Sequence, residues 1–421
     1  MNNISQKYAV FFVPFFNLPN HVGNYRIKRF IKWLGDKGYK VIVFSSGYPK
    51  AEKFSWGANY VIQNKVSIYL YKLLKIRAKF YPAKVLYRLI KILFEIFLIP
   101  DEELLWVNAV IKNDTVLDLV KDASFILSSS PLESAHIASY KLAKKNRIPY
   151  IVDLRDGWFD EPLKKVLQKK SKRYYRELRL EAKLLHNSNL IIVTSEEWKK
   201  LLINRYPSLD EKTYILYNGY PDFNTKEINE KSNSNNIELI YSGRFRGSSF
   251  RRTPDMMFNQ LSKYIYEQKL NVNIELFGEF IRDDVKELSV WAKKFNQISC
   301  KLKISSSVPR DELFQKFGKK DAFLLLSISK AAIPSKLFEY LLFNKPILAF
   351  APSDSPIGRL SETIFHLVLI DPENSYYSNK SNFRKFFDLV NHQENQFKIP
   401  EEFSEKELRK SFFKIIKNID K

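Results

Sequence analysis

Apolar runs of strand length recur along this chain, each followed by a loop and then by residues with helical spacing. The first is Tyr8–Val13; the loop 14–23 follows, then an amphipathic helix to about Gly35 that sets Arg26, Arg29 and Lys32 three apart on its polar side. Val41–Phe44 is the next strand. Such an opening predicts a parallel, doubly wound sheet, in which ligands lie beyond the carboxyl ends of the strands. Strands at Phe125–Leu127 and Pro149–Val152 flank a helical Leu132–Arg147, and Leu190–Thr194 and Tyr214–Leu216 finish the first half. Asn218-Gly219-Tyr220-Pro221 is a turn, and the polar, unperiodic Lys226–Asn236 suits a hinge.

The pattern then restarts with strands Ile237–Tyr241, Val272–Phe277, Lys301–Ile304, Ala322–Leu326, Ile347–Phe350 and Leu367–Ile370, and Phe403–Ile419 reads as a terminal helix with a basic face. The implied layout is an N-terminal domain 1–222, a linker 223–236, a C-terminal domain 237–400 and a closing helix 401–421. Two domains of about 200 residues each fit a chain of 421.

Chemistry concentrates after Ala322–Leu326. Pro334 and Ser335 suit a helix start with Ser335 as cap, and Asn344 suits the left-handed position past the last turn, before Pro346. The helix between is apolar nearly all round and therefore buried, yet it carries Lys336 and Glu339 at i, i+3 on one face. Two readings stand. One is an internal Lys336–Glu339 pair, in the less favourable order. The other is a ligand site: Lys336 and the helix start face an anion, and Glu339 accepts hydrogen bonds from a diol.

Two loops follow carboxyl ends of strands in the same way. Asp153-Leu154-Arg155-Asp156-Gly157-Trp158 places charge beside a ligand region, although Arg155 can pair with either Asp. Ser242-Gly243-Arg244-Phe245-Arg246-Gly247, continuing to Arg251 and Arg252, joins two glycines to four arginines whose forks suit phosphate; it is not a P-loop. His136 sits early on its helix, where a lone histidine is more often structural.

Composition narrows the classes. A 45% hydrophobic content supplies ample core, and Cys300, the single cysteine, excludes internal disulfides and suits a reducing cytoplasm. The five histidines form no metal-spaced cluster, so no metal is expected. A net charge of +23 favours an anionic partner, although abundant lysine throughout explains it equally. No nucleic-acid-binding pattern accompanies the charge, and no nucleic-acid partner is expected. No uncharged apolar run reaches roughly 18 residues, so no spanning helix is expected. Tyr8–Phe16 reads as a strand and not as a signal segment. Residues 72–98 stand apart: Lys84, Arg88, Lys91 and Glu95 make one polar stripe on an otherwise apolar helix. Both a helix lying on an anionic membrane and a domain helix with one solvated edge look like this.

In several stretches the chain resembles the GT-B glycosyltransferases of family 4, in the branch that builds bacterial surface polysaccharides. They are Val22-Gly23-Asn24-Tyr25-Arg26 through Leu34, Pro100-Asp101 with Trp106, Ile148 through Asp156, Tyr241-Ser242-Gly243-Arg244, and Pro334-Ser335-Lys336-Leu337-Phe338-Glu339-Tyr340-Leu341. The resemblance implies an α/β fold of two Rossmann-like domains facing across a cleft. It implies a nucleotide-sugar donor as co-substrate, a glycan or lipid-linked acceptor, retention of configuration and no cofactor. Carried over, Arg244, Lys336 and His136 are catalytic: the first two neutralise the diphosphate and His136 touches the donor sugar. Gly23, Gly243, Arg246, Gly278, Ser335 and Glu339 are donor-binding, with Gly23 admitting the phosphate and Glu339 at the ribose. Arg26, Asp153, Arg155 and Asp156 lie on the acceptor side. The sequence departs from the pattern at Ala331, where many members have Glu, at His21, where a glycine is usual, and at Ser249, where a basic residue is usual. The departures at Ala331 and His21 motivate the alternative of a GT-B scaffold that binds nucleotide or glycan without turnover. The implied location is cytoplasmic, peripheral to the inner face of the membrane.

Overall fold

The computed structural model describes residues 7–16, 23–47, 52–63, 89, 97–159, 171–220, 223, 236–246, 252–298, 300–392 and 397–419, with the backbone alone for 52–54. His21, Ser249, Arg251, nearly all of the 72–98 segment and most of the 223–236 linker lie outside the described residues. The chain forms two compact units: Met1–Thr194 with Trp198–Leu216 and Arg409–Lys421, and Ser195–Glu197 with Tyr217–Leu408. It is an α/β protein of two Rossmann-like domains.

The first unit holds an eight-stranded sheet in the order β3-β4-β2-β1-β5-β6-β7-β8. Its strands are β1 Lys7–Phe12, β2 Tyr39–Ser45, β3 Glu52–Phe54, β4 Gly57–Val61, β5 Phe125–Ser129, β6 Tyr150–Leu154, β7 Leu190–Val193 and β8 Thr213–Ile215. Only β3 runs antiparallel, against β4. Ala9 is paired with Val41 on one side and Phe125 on the other, so the strand order reverses beside β1. The central strands β1, β2, β5, β6 and β7 are largely apolar and buried because both faces are covered.

The second unit holds a six-stranded sheet in the order β11-β10-β9-β12-β13-β14. These are β9 Ile237–Ser242, β10 Val272–Phe277, β11 Cys300–Ser305, β12 Ala322–Leu326, β13 Ile347–Phe350 and β14 Leu367–Ile370, all parallel. Alternation divides its core into two layers. Leu239 and Tyr241 enter one, with Met257, Phe258 and Leu288. Ile240 and Phe323 enter the other, with Leu337, Tyr340 and Phe343. The order reverses between β9 and β12, the place where ligands of open α/β sheets collect.

Two differences from the sequence reading concern helix ends. Pro334 is the cap residue of the helix Ser335–Leu341, and no side chain closes a capping bond there. Pro334 already holds the extended backbone a cap needs (ψ 136°), so Ser335 falls one position too late to serve. The C-terminal helix is Glu405–Ile416, preceded by a single turn at Glu401–Phe403. From Arg409 onward it belongs to the first unit, where Phe412 stacks on Phe30 at 4.6 Å and Arg409 meets Asp36 at 2.9 Å. The stop at Asn344 is as expected, with φ at 55°.

Candidate functional site

In the second unit the loops leaving β9 and β12 flank the reversal of strand order. The β9 loop begins Gly243-Arg244. Its Gly243 N–H donates to Phe277 O at 2.9 Å. A Cβ on Gly278, just past β10, would lie 1.9 Å from the Gly243 carbonyl oxygen, so only glycine lets these loops approach. The β12 loop is tied down by Ser329, whose hydroxyl accepts from Ala332 N–H at 2.8 Å. Ala331, at the position of the missing carboxylate, is buried, and its carbonyl accepts from the Ser195 hydroxyl.

The helix Ser335–Leu341 follows. Its Glu339 side chain is 10% exposed and bonds Lys336 Nζ at 2.7 Å; Arg310, at the start of the helix Arg310–Gly318, lies 3.6 Å from the other oxygen. The internal pair is therefore formed, but it is one edge of a triad with two cations and one anion. Two cationic side chains, each 29% exposed, thus converge on one carboxylate beside the carboxyl ends of the strands. Arg310 escaped the sequence reading because no spacing rule links it to Glu339; its proline-led helix start was the only local signal.

Arg244 extends outward. Its guanidinium is 55% exposed and pairs with the exposed Glu279, a surface contact that contributes little and exchanges readily. Arg246 differs. It bonds Asp284 at 3.0 Å and also Glu287, and Asp284 has no exposed surface. Two carboxylates thus hold Arg246, so the guanidinium expected to offer a fork to phosphate is engaged with the protein and anchors the loop.

The first unit places its expected residues in a more internal way. Arg26 and Asp153 are a buried pair, 2.8 Å apart with side chains 5% and 0% exposed. Asp153 also accepts from Ser129 Oγ at 2.7 Å, and Arg26 donates to Leu216 O at 2.9 Å. Both, expected on the acceptor side, are engaged with each other and with the ends of the strands. His136 has no exposed surface; its Nδ1 is 2.8 Å from Ser128 Oγ and its ring lies 6.2 Å from that of Trp158. Placed so, His136, expected to touch the donor sugar, packs as a core histidine. At Gly23 a Cβ would sit 1.4 Å from Arg155 Nη1, so the space above this glycine holds a guanidinium. Arg155, beside the start of the helix Gly23–Gly35, also lies 3.7 Å from the exposed Asp156.

Pro100-Asp101 has a local explanation. The Asp101 carboxylate accepts Ser134 N–H at 3.0 Å and Glu103 N–H at 3.0 Å, and so caps the helix Ser134–Asn146 from a distant segment. Burial, then the neighbouring Glu133, push Asp101 up to about 7. Burial also pushes Glu103 up to about 7. Among the described residues no group of three or more His, Cys, Asp or Glu could hold a metal ion, and no helix is long and apolar enough to cross a membrane.

No family model and no curated protein sequence matches the chain. Solved structures do. Sucrose-phosphate synthase from Thermosynechococcus elongatus is 12% identical over 98% of this chain and 99% of its own, with a TM-score of 0.63. Anabaena HepE in complex with UDP is 12% identical over 97% of this chain and 99% of its own, with a TM-score of 0.59. The lipopolysaccharide outer core galactosyltransferase WaaB is 12% identical over 97% and 99%, with a TM-score of 0.57. At this identity the likeness shows the fold, which is that of the GT-B glycosyltransferases.

Proposed function

We propose that the chain is a glycosyltransferase of the family 4 type. It moves a sugar, with retention and without metal, from a nucleotide-sugar to a glycan or lipid-linked acceptor in surface polysaccharide synthesis. The observation that carries this is the triad of Lys336, Glu339 and Arg310 beside the Arg244 loop, at the reversal of strand order in the second unit. HepE structures in complex with UDP and with UDP-glucose support a nucleotide-sugar donor.

In this reading Glu339 receives the ribose hydroxyls. As the anomeric C–O bond breaks, negative charge grows on the departing diphosphate, and Lys336, Arg310 and Arg244 stabilise it. The acceptor hydroxyl forms the new bond and its proton leaves to a phosphate oxygen or to water. Arg26 and Asp153 act through the loop they hold, and Arg155 and Asp156 face the acceptor. Calorimetry with UDP, GDP, ADP and CDP tests the donor site. One of them binds the wild type, and Glu339→Ala weakens it at least tenfold; no binding by any, or unchanged affinity in the variant, removes the assignment.

A second reading, nucleotide binding without turnover, is favoured by Ala331 and by the burial of His136. Release of free sugar from the bound donor by the purified protein eliminates it.

A further inference from the structure

Among the described residues, a hydrogen bond ties the helix that carries Lys336 and Glu339 to the strand end from which the Arg244 loop leaves. β9 pairs with β12 only as far as Tyr241 opposite Leu324. The next two N–H groups diverge: that of Gly243 turns to Phe277 on β10, and that of Ser242 turns to the β12 side, one step past the last rung. A buried N–H there needs a partner, and the Tyr340 hydroxyl accepts it at 2.8 Å. From the other apolar layer the Tyr241 hydroxyl donates to Arg244 O at 3.0 Å and accepts from Arg252 Nη2 at 3.0 Å. Two tyrosine hydroxyls thus bracket Gly243-Arg244, one at each end.

Packing alone does not require either hydroxyl. The Tyr340 ring lies flat on Phe323 at 4.5 Å and edge-on to Phe317 at 5.3 Å, and the Tyr241 ring stacks on Phe245 at 5.0 Å. Phenylalanine would fill both spaces. Burial pushes both phenols up, so each stays a neutral hydroxyl. The added oxygen of Tyr340 fixes the loop that bears Arg244 against the helix that bears Lys336, and a cation pair serves a diphosphate only at a set separation.

We propose that Tyr340 is a positioning residue that sets the spacing between Lys336 and Arg244, with Tyr241 holding the far side of the same loop, so that the site measures a diphosphate and not a monophosphate. This rests on the donor-site reading above. The test compares UDP with UMP, or the matching pair for whichever base the wild type binds, in Tyr340→Phe, Tyr241→Phe, Arg244→Ala and the Tyr340→Phe/Arg244→Ala double variant. Tyr340→Phe should weaken the diphosphate roughly fivefold or more and move the monophosphate less than about twofold. In the Arg244→Ala background the same change should add nothing, because the residue it positions is gone. Tyr241→Phe should lower the diphosphate-to-monophosphate ratio in the same direction and serves where Tyr340→Phe fails to fold. A folded Tyr340→Phe, or in its place a folded Tyr241→Phe, with a wild-type ratio overturns the proposal while leaving the donor site standing. So does full additivity with Arg244→Ala. A wild type that binds no nucleoside diphosphate removes the donor-site reading and this proposal together.

Discussion

A buried carboxylate between two cations behaves differently from a simple pair, because losing one neighbour leaves the other in place. Glu339 keeps Arg310 if Lys336 goes, and Lys336 if Arg310 goes. Asp101 is held differently: it accepts the backbone N–H groups of Glu103 and Ser134, with Glu133 as a neighbouring acid. The sign of its pH effect follows. Asp101 and Glu103 titrate near 7 when folded, far above the ordinary carboxylate range of the unfolded chain. Between those values the folded state holds protons that the unfolded state releases, so stability falls as pH rises from about 4 to about 7 and levels off above. Urea melts across that range should show the slope, and Asp101→Asn should flatten it. An unchanged slope in the variant would assign it to other groups.

At the scale of elements, the sheet termini decide what the loops can do. Gly278 is a contact point between two loops, not a hinge: a methyl there meets the Gly243 carbonyl. Gly278→Ala should destabilise the protein by about 1–3 kcal/mol, read from the urea midpoint, and should weaken nucleotide binding as well. Much of this level was legible in the sequence. Asn344 and Pro346 ended the helix where the structure ends it, and the run Ile237–Tyr241 followed by Gly243 announced a strand with a loop that something approaches. What local pattern could not supply was partnership over distance. Arg310 meets Glu339, Asp101 caps Ser134, and Arg155 fills the space over Gly23, and each contact joins segments that no period relates. The buried partners of His136 and Arg26 were out of reach for the same reason. A polar residue near a strand end reads as available, and only the fold shows Asp153 and Ser128 claiming it. The β3–β4 pair was missed because its strands, Glu52–Phe54 and Gly57–Val61, are short and polar.

At the scale of the whole molecule, the charge of +23 has few internal uses. The cations described above are mostly paired locally, and the remaining excess attracts anionic surfaces within a Debye length. We propose that the protein sits at the inner face of a membrane, with residues 72–98 as the contact. Flotation with vesicles containing phosphatidylserine should recover it at low salt and lose it at high salt. Changing Lys84, Arg88 and Lys91 to Glu should abolish recovery, and retention in that variant would place the contact elsewhere. The path of the chain has a further consequence. The first unit is closed by Phe412 against Phe30 and Trp33, residues separated in sequence by the whole of the second unit. A ribosome that has released residues 1–216 has therefore exposed an aromatic face with nothing yet made to cover it. The unit translated first is the one completed last.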